Sequence, residues 1–183
     1  MIIISYLSIL WAFLLYILNL FLHWVSIFGA PIKEPEMFWI IIPIWINWFF
    51  TEFFIEKYGT SFGNAIGNGV IPILASVDWA RYLYRGYIEL SFDTFLKFAL
   101  AIAVFVYGVF VIVAGIKLKH IIFYVGRIRW ITYVLLMLTP IIYNVVKFDF
   151  YTLTSTILFF PLYWWVIEFF DRITPEPRVY GEG

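Results

Sequence analysis

The sequence lacks cysteine and glutamine, contains two histidines, and has few charged residues, which make up 13% of its 183 positions. Without cysteine there is no disulfide, no thiol nucleophile and no cysteine-ligated zinc or iron–sulfur cluster. Soluble proteins carry roughly a quarter charged residues. The scarcity of charge therefore argues against an ordinary water-soluble domain.

Basic residues are also few and scattered. Twelve basic and twelve acidic side chains give a formal net charge of zero, and the lysines and arginines form no cluster that could follow a phosphate backbone. We therefore exclude nucleic acid as a partner. A metal site needs about three or four ligands, and His23 and His120 alone cannot supply them, so we predict no metal or other cofactor and assign no catalytic residue.

What the chain has in abundance is apolar surface, with 64% hydrophobic and 23% aromatic residues. In water a chain of this length would bury only about 70% of its surface, and the rest would form aggregating patches. A lipid environment removes this problem. The composition thus predicts an all-α transmembrane helical bundle that crosses the bilayer several times.

A spanning helix needs about 20 mainly apolar residues, and five windows meet this length or approach it. They are residues 2–28, 37–55, 95–116, 130–146 and 150–170. We predict one bundle over residues 1–172, followed by a short polar tail over residues 173–183.

The segment 59–85 decides between five and six spans. It is long enough to cross, but it contains several polar residues and a proline: Asn64, Asn68, Pro72, Asp78 and Arg81. It could cross as a buried polar helix, or re-enter the membrane where protein or water surrounds its backbone. We prefer six spans.

Cytoplasmic loops of membrane proteins carry an excess of lysine and arginine. Basic residues flank the segment 117–129, and Arg172 and Arg178 lie near the C-terminus. We therefore expect the loop 117–129 and the C-terminus to face the cytoplasm in a cell membrane. The rule does not separate five spans from six. Six spans place Lys57 on the cytoplasmic side and five spans place Lys33 there, so the number of cytoplasmic basic residues is the same.

Two ladders of small residues predict close helix packing. Gly59, Gly63 and Gly67 recur every four residues and would let another helix backbone approach. We interpret this ladder as packing inside the bundle, with a contact between two copies or a broken substrate-site helix as alternatives. The second ladder recurs every seven residues and predicts another packing seam; it consists of Ala101, Gly108 and Gly115.

Polar side chains within the membrane are costly and are functional candidates. Asp78 and Arg81 are spaced to pair on one helix face, although they could instead sit at a helix end among headgroups. Glu52 and Glu56 lie one turn apart and could bind a cation or relay protons, although such a pair is also typical of an interfacial helix end beside Lys57. Asn64 and Asn68 complete the candidate set.

No motif identifies an activity, and three functions remain open. The preferred one is a non-enzymatic subunit or scaffold of a membrane assembly, whose partners are the lipid bilayer and other membrane subunits or a second copy. A small channel or transporter could use a polar site on residues 59–85. A lipid-active membrane enzyme would need its carboxylates and a histidine to meet at one membrane face.

Overall fold

A computed structural model describes residues 2–56, 59–85 and 91–174, and over these ranges every regular element is helical. The all-α prediction is therefore confirmed for the described residues. The elements are α1 (Ile2–Phe28), α2 (Ala30–Lys33), a 3₁₀ turn (Pro35–Met37), α3 (Phe38–Phe50), a π-helical turn (Thr51–Ile55), α4 (Phe62–Arg85), α5 (Phe92–Ile116), α6 (Ile122–Val125), α7 (Ile128–Ile142) and α8 (Phe150–Ile173).

Within the described ranges, four segments are long and apolar enough to cross a membrane: Ser8–Phe28, Pro35–Ile55, Phe92–Ile116 and Phe150–Ile173. Helix α7 is apolar but has 15 residues, about 22 Å at 1.5 Å per residue, which is less than the roughly 30 Å of a hydrocarbon core. Most of the predicted tail, residues 175–183, lies outside the described residues.

Helix α4 is continuous over 24 residues and runs through Pro72 without a break. At 1.5 Å per residue it is about 36 Å long, enough to cross a bilayer. The Ser61 hydroxyl accepts a hydrogen bond from the Asn64 backbone N–H at 3.1 Å and so caps the first turn. A helix broken at Pro72 is therefore not the conformation that this segment has.

Helices α4 and α5 pack closely and antiparallel, with glycines at their crossing. A Cβ added at Gly108 would lie 2.7 Å from the carbonyl oxygen of Gly69. A Cβ at Gly115 would lie 2.6 Å from the Ile66 side chain. Residue numbers therefore increase along α4 in the direction in which they decrease along α5. This contact allows the two backbones to approach without intervening side chains.

Helix α1 joins the bundle through a single stripe. Leu20, Trp24 and Ile27 are buried, whereas most of the larger apolar residues from Ile9 to Leu18 are exposed. The Trp24 indole donates to the Tyr133 hydroxyl at 2.9 Å, and this hydroxyl donates to the Thr156 carbonyl at 2.6 Å. These two bonds connect α1, α7 and α8.

A second connection between α1 and α8 lies at the start of α8. The Asp149 carboxylate caps that helix by accepting from the Thr152 backbone N–H at 2.8 Å, and this bond lowers the pKa of Asp149. His23 Nε2 lies 3.0 Å from the Thr152 hydroxyl oxygen. His23 therefore serves as a hydrogen-bonding residue between helices.

Candidate functional site

An ion network is buried where the end of α3 meets the start of α7. Arg129 Nε donates to Glu52 Oε1 at 2.8 Å, and Arg129 Nη2 donates to the same oxygen. The Arg129 side chain is 0% exposed and that of Glu52 is 1% exposed. Arg129 Nη1 also donates to Glu168 Oε2 of α8 at 3.1 Å, so one guanidinium joins three segments of the bundle.

Trp164 completes this network from α8. The Arg129 guanidinium carbon lies 4.6 Å from the centre of the Trp164 ring, and the Arg127 guanidinium carbon lies 5.2 Å from it. Cations within about 6 Å of an indole face are attracted by its quadrupole. The ring therefore helps to hold the charge of Arg129 away from water.

Glu56 occupies a separate set of hydrogen bonds next to the network. Its Oε1 accepts from Asn68 Nδ2 at 2.7 Å and its Oε2 accepts from the Ile128 backbone N–H at 3.2 Å. Asn68 Nδ2 also donates to the Gly126 carbonyl at 2.8 Å. Burial raises the pKa of Glu56, while these hydrogen bonds from Ile128 and Asn68 act to lower it.

The π-helical turn Thr51–Ile55 carries Glu52 into the network. The turn ends with the Glu56 backbone N–H bonded to the Thr51 carbonyl at 2.7 Å, one residue beyond the usual α-helical partner. Such π-turns are rare and frequent at functional sites. The predicted carboxylate pair therefore divides between two partners, Arg129 for Glu52 and Asn68 for Glu56, while Lys57 lies outside the described residues.

A second polar cluster lies toward the other end of α4. Arg81 Nη2 and Asp78 Oδ1 are 2.7 Å apart, and the Tyr143 hydroxyl donates to Asp78 Oδ2 at 2.6 Å. The predicted Asp78–Arg81 pairing is thus present, with a tyrosine of the α7 end added to it. Nearby along α5, Lys97 donates to the Asn144 side chain and to Asp93.

The structure separates the two glycine ladders. Ala101, Gly108 and Gly115 are buried on the α5 face that packs on α4. Gly63 and Gly67 are exposed, and a Cβ at Gly67 would meet no other atom of the described chain within 4 Å. Gly59 precedes α4 with φ of +110°. The expectation that the first ladder packs inside the bundle is therefore wrong, since Gly69 makes that contact.

The remaining candidate, Asn64, is half-buried in the first turn of α4, where its backbone is capped by Ser61. The structure does not bring it to Glu56 as it brings Asn68.

Sequence reasoning missed the two residues that complete the network around Glu52, namely its ion-pair partner Arg129 and Glu168, which also bonds Arg129. The charge pattern predicts that Arg129 ends a cytoplasmic loop, but Arg129 belongs to the first turn of α7 and is fully buried. Glu168 lies 39 residues away from Arg129 along the chain. The sequence offered one indication of Arg129, because a buried glutamate such as Glu52 requires a cation at the same level of the bundle.

No protein family, curated protein or solved structure matches the chain. The site must therefore be interpreted from its own chemistry. Within the described residues, no group of histidines, aspartates and glutamates is arranged to hold a metal ion. Two carboxylates, those of Glu52 and Glu168, accept hydrogen bonds from Arg129, while Glu56 accepts from Asn68 and the Ile128 backbone.

Two open grooves run between the helices and have apolar linings. One lies between α1, α3, α7 and α8 with a volume of about 530 Å³. The other lies between α5 and the α6–α7 region with a volume of about 550 Å³. In the second groove the Tyr107 hydroxyl is satisfied by donating to the Val125 carbonyl.

Proposed function

We propose that the chain is a multi-pass integral membrane protein with a non-enzymatic role, acting as a helical subunit or scaffold of a membrane assembly. The observation that carries this proposal is that the surface grooves are apolar while the ion pair is buried. The grooves between the helices are open and lined by apolar side chains, whereas Glu52 and Arg129 are buried and neutralise each other. Such grooves suit lipid chains and apolar helices.

Six crossings account best for the way the helices meet. Glu52, Arg129 and Glu168 come together from the end of α3, the start of α7 and the end of α8. These three ends lie on one side of a membrane if α4 and α5 cross as an antiparallel pair. The exposed Lys117 and Lys119 follow α5 at this end, so the charge rule makes it the cytoplasmic side.

A channel on residues 59–85 has less support because the polar residues of α4 contact protein. Asn68 is bonded to Glu56 and to the Gly126 carbonyl. The Ser76 hydroxyl donates to the Ile73 carbonyl of its own helix at 2.7 Å. These groups are satisfied where they are and do not need water.

A lipid-active enzyme has less support because neither histidine bonds Glu52, Glu56 or Glu168. His23 bonds Thr152 at the start of α8, and the His120 ring packs near Phe62 and Phe123. General acid–base chemistry at Glu52 is also disfavoured because the side chain is buried and paired with Arg129.

Cysteine labelling tests the proposal against transport, since the chain has no native cysteine. Ala75→Cys and Ser76→Cys place a thiol at buried positions in the middle of α4. In intact membranes we expect neither to react with a charged, membrane-impermeant thiosulfonate, whereas Ser61→Cys, exposed before α4, reacts. All three should react after denaturation, which shows that the thiols are present.

Reaction at positions 75 and 76 would reveal a water-filled path and would replace the proposal with a channel.

The subunit role also predicts that the chain associates with itself or with other subunits. After extraction in mild detergent, light scattering should give a protein mass greater than that of one chain, and a single-chain mass would contradict it.

A further inference from the structure

Two surface grooves lie side by side on helix α7. One is the groove of about 550 Å³ between α5 and the α6–α7 region, and the other, of about 360 Å³, lies between α7 and α8. Their linings share Trp130, Val134 and Leu138, which recur every four residues and so form one stripe along α7. The two grooves are therefore the halves of one cleft, the α7 cleft, and this stripe is the ridge between them.

The α7 cleft opens outward and offers hydrocarbon walls. Its ridge is exposed or half-buried along its length. On the α5 side the Tyr107 hydroxyl donates to the Val125 carbonyl, and on the α8 side the Tyr133 hydroxyl donates to the Thr156 carbonyl. Both hydroxyls are thus engaged within the protein. The occupant that matches such a divided, apolar cleft has two hydrocarbon chains.

A cation lies at the end of the cleft where α7 begins. Tyr124 and Val125 line the α5-side groove and Trp130 lines both grooves, so the chain between them crosses this end. Arg127 is part of that chain. Its guanidinium carbon lies 5.2 Å from the centre of the Trp164 ring, and the Trp130 and Trp164 ring centres are 5.9 Å apart. The guanidinium therefore lies next to the end of the ridge.

Arg127 forms no ion pair within the described part of the chain. The neighbouring carboxylates are taken by other cations, since Glu52 pairs with Arg129 and Glu168 pairs with Arg129 and Arg172. Arg127 is half-buried. Its Nε is enclosed, whereas its two terminal nitrogens are neither enclosed nor hydrogen-bonded by the described residues. These terminal nitrogens are the donors that a ligand at the surface can reach.

The full set of charges at this end of the bundle leaves an excess of positive charge. The described cations are Lys117, Lys119, Arg127, Arg129 and Arg172, and the described carboxylates are Glu52, Glu56, Glu168 and Asp171. Asp171 is buried and makes no ion pair with Arg127. An anionic group beside Arg127 is therefore favoured by the local charge as well as by the free donors.

We propose that the α7 cleft binds an anionic phospholipid with two hydrocarbon chains, one in each groove, and that its phosphate bonds the terminal nitrogens of Arg127. Guanidinium groups bind phosphate through paired, charge-assisted hydrogen bonds. The inference deepens the proposed function, because it rests on a membrane-embedded bundle and names the lipid class that one of its surfaces takes. The bound lipid would connect α5 to α8 across α7.

Native mass spectrometry of the whole chain, released from detergent micelles, tests the proposal because it counts bound lipid molecules. The probes are dioleoylphosphatidylglycerol, which is anionic, and dioleoylphosphatidylcholine, which has the same chains and no net charge. We expect one molecule of the anionic lipid to bind about fivefold more tightly, the factor that corresponds to about 1 kcal/mol for one basic residue at an anionic lipid. Oleoyl-lysophosphatidylglycerol, with one chain, should bind more weakly than the two-chain lipid.

Charge variants test the role of Arg127. Arg127→Gln should abolish the preference for the anionic lipid, and Arg127→Lys should keep part of it. Two controls remove the same charge elsewhere: Arg172→Gln, at an exposed position of the same end, and Lys147→Gln, at an exposed position before α8. Both controls should keep the fivefold preference.

A groove variant tests the two-chain requirement and leaves the charge in place. Ala103 is exposed and lines the α5-side groove, so Ala103→Phe obstructs one groove. It should lower the affinity for the two-chain anionic lipid to that for the one-chain lipid. Val106→Phe is the matched control, because Val106 is exposed on α5 and lines neither groove; it should leave both affinities unchanged.

The proposal is wrong if the two dioleoyl lipids bind equally, if Arg127→Gln keeps the preference, or if Arg172→Gln loses it. It is also wrong if Ala103→Phe still distinguishes two chains from one. A dimer that is lost in Ala103→Phe, without lipid binding to the wild-type chain, would assign the cleft to a second copy. None of these results would affect the labelling of α4, so failure of this inference is distinguishable from failure of the proposed function.

Discussion

The Glu52–Arg129 pair is the residue-scale feature that most constrains the bundle. Both side chains are withdrawn from solvent, and the loss of their hydration costs several kcal/mol per ion. Mutual attraction, the bond to Glu168 and the Trp164 ring offset that cost. Removal of one partner is then more damaging than removal of both, because a single charge would stay buried and unpaired.

We expect Arg129→Met to destabilise the protein by about 3–5 kcal/mol, because Glu52 would be left as an isolated buried carboxylate. The double variant Glu52→Gln with Arg129→Met should recover a large part of that loss. The measurement is the free energy of unfolding in detergent micelles.

Arg172→Met is the matched control, since Arg172 is exposed and its Nε lies 3.4 Å from Glu168 Oε1. It should cost less than about 1 kcal/mol. Equal losses in the two single variants would show that the buried network does not stabilise the fold.

At this scale the sequence was informative about which charged residues deserve attention and uninformative about their distant partners. Glu52, Asp78 and Arg81 could be selected because charge is costly in lipid. The Asp78–Arg81 pair could also be predicted, because it is local at i, i+3. The partner of Glu52, Arg129, could not be predicted, and neither could the bond from Arg129 to Glu168, because these residues come from α7 and α8 and meet only when the helices assemble.

At the scale of the helix, α4 shows why a small-residue pattern does not identify the packed face. The predicted ladder ends at Gly67, which is exposed, while Gly69 contacts α5. On a helix, two residues correspond to about 200° of rotation. The four-residue spacing of the glycines indicates that α4 has a face without side chains, but the position of α5 determines which face of α4 is packed.

Gly108→Ala and Gly67→Ala test this assignment. We expect Gly108→Ala to destabilise by about 1–3 kcal/mol, because its Cβ would meet the rigid carbonyl oxygen of Gly69 at 2.7 Å. Gly67→Ala should instead be neutral or stabilising by up to about 1 kcal/mol, through helix propensity.

Thermal unfolding in micelles checks both values, and light scattering on the same samples reports the association of copies. A large loss of stability or of association in Gly67→Ala would mean that the exposed ladder packs against a second copy.

At the scale of the whole molecule, the exterior is apolar and the interior holds ions. Phe92, Trp39 and Ile32 are at least 77% exposed, whereas Arg129, Glu52 and Glu56 are at most 1% exposed. The core is largely apolar as well, so the difference from a protein in water lies in the extent of exposed apolar surface, which suits a lipid surrounding. Composition alone allowed a helical chain with several apolar helices of membrane-spanning length to be predicted, but the conformation of residues 59–85 depended on packing against α5, which no local pattern specifies.

The sidedness of the loops tests the six-crossing bundle most directly. Single cysteines at the exposed positions Ser61, Phe92, Lys119 and Lys147 are labelled with an impermeant maleimide from each side of the membrane in turn. We expect Ser61→Cys and Lys119→Cys to react from the cytoplasmic side, and Phe92→Cys and Lys147→Cys to react from the opposite side. Reaction of Ser61→Cys and Phe92→Cys from the same side would show that α4 does not cross, and would contradict the account.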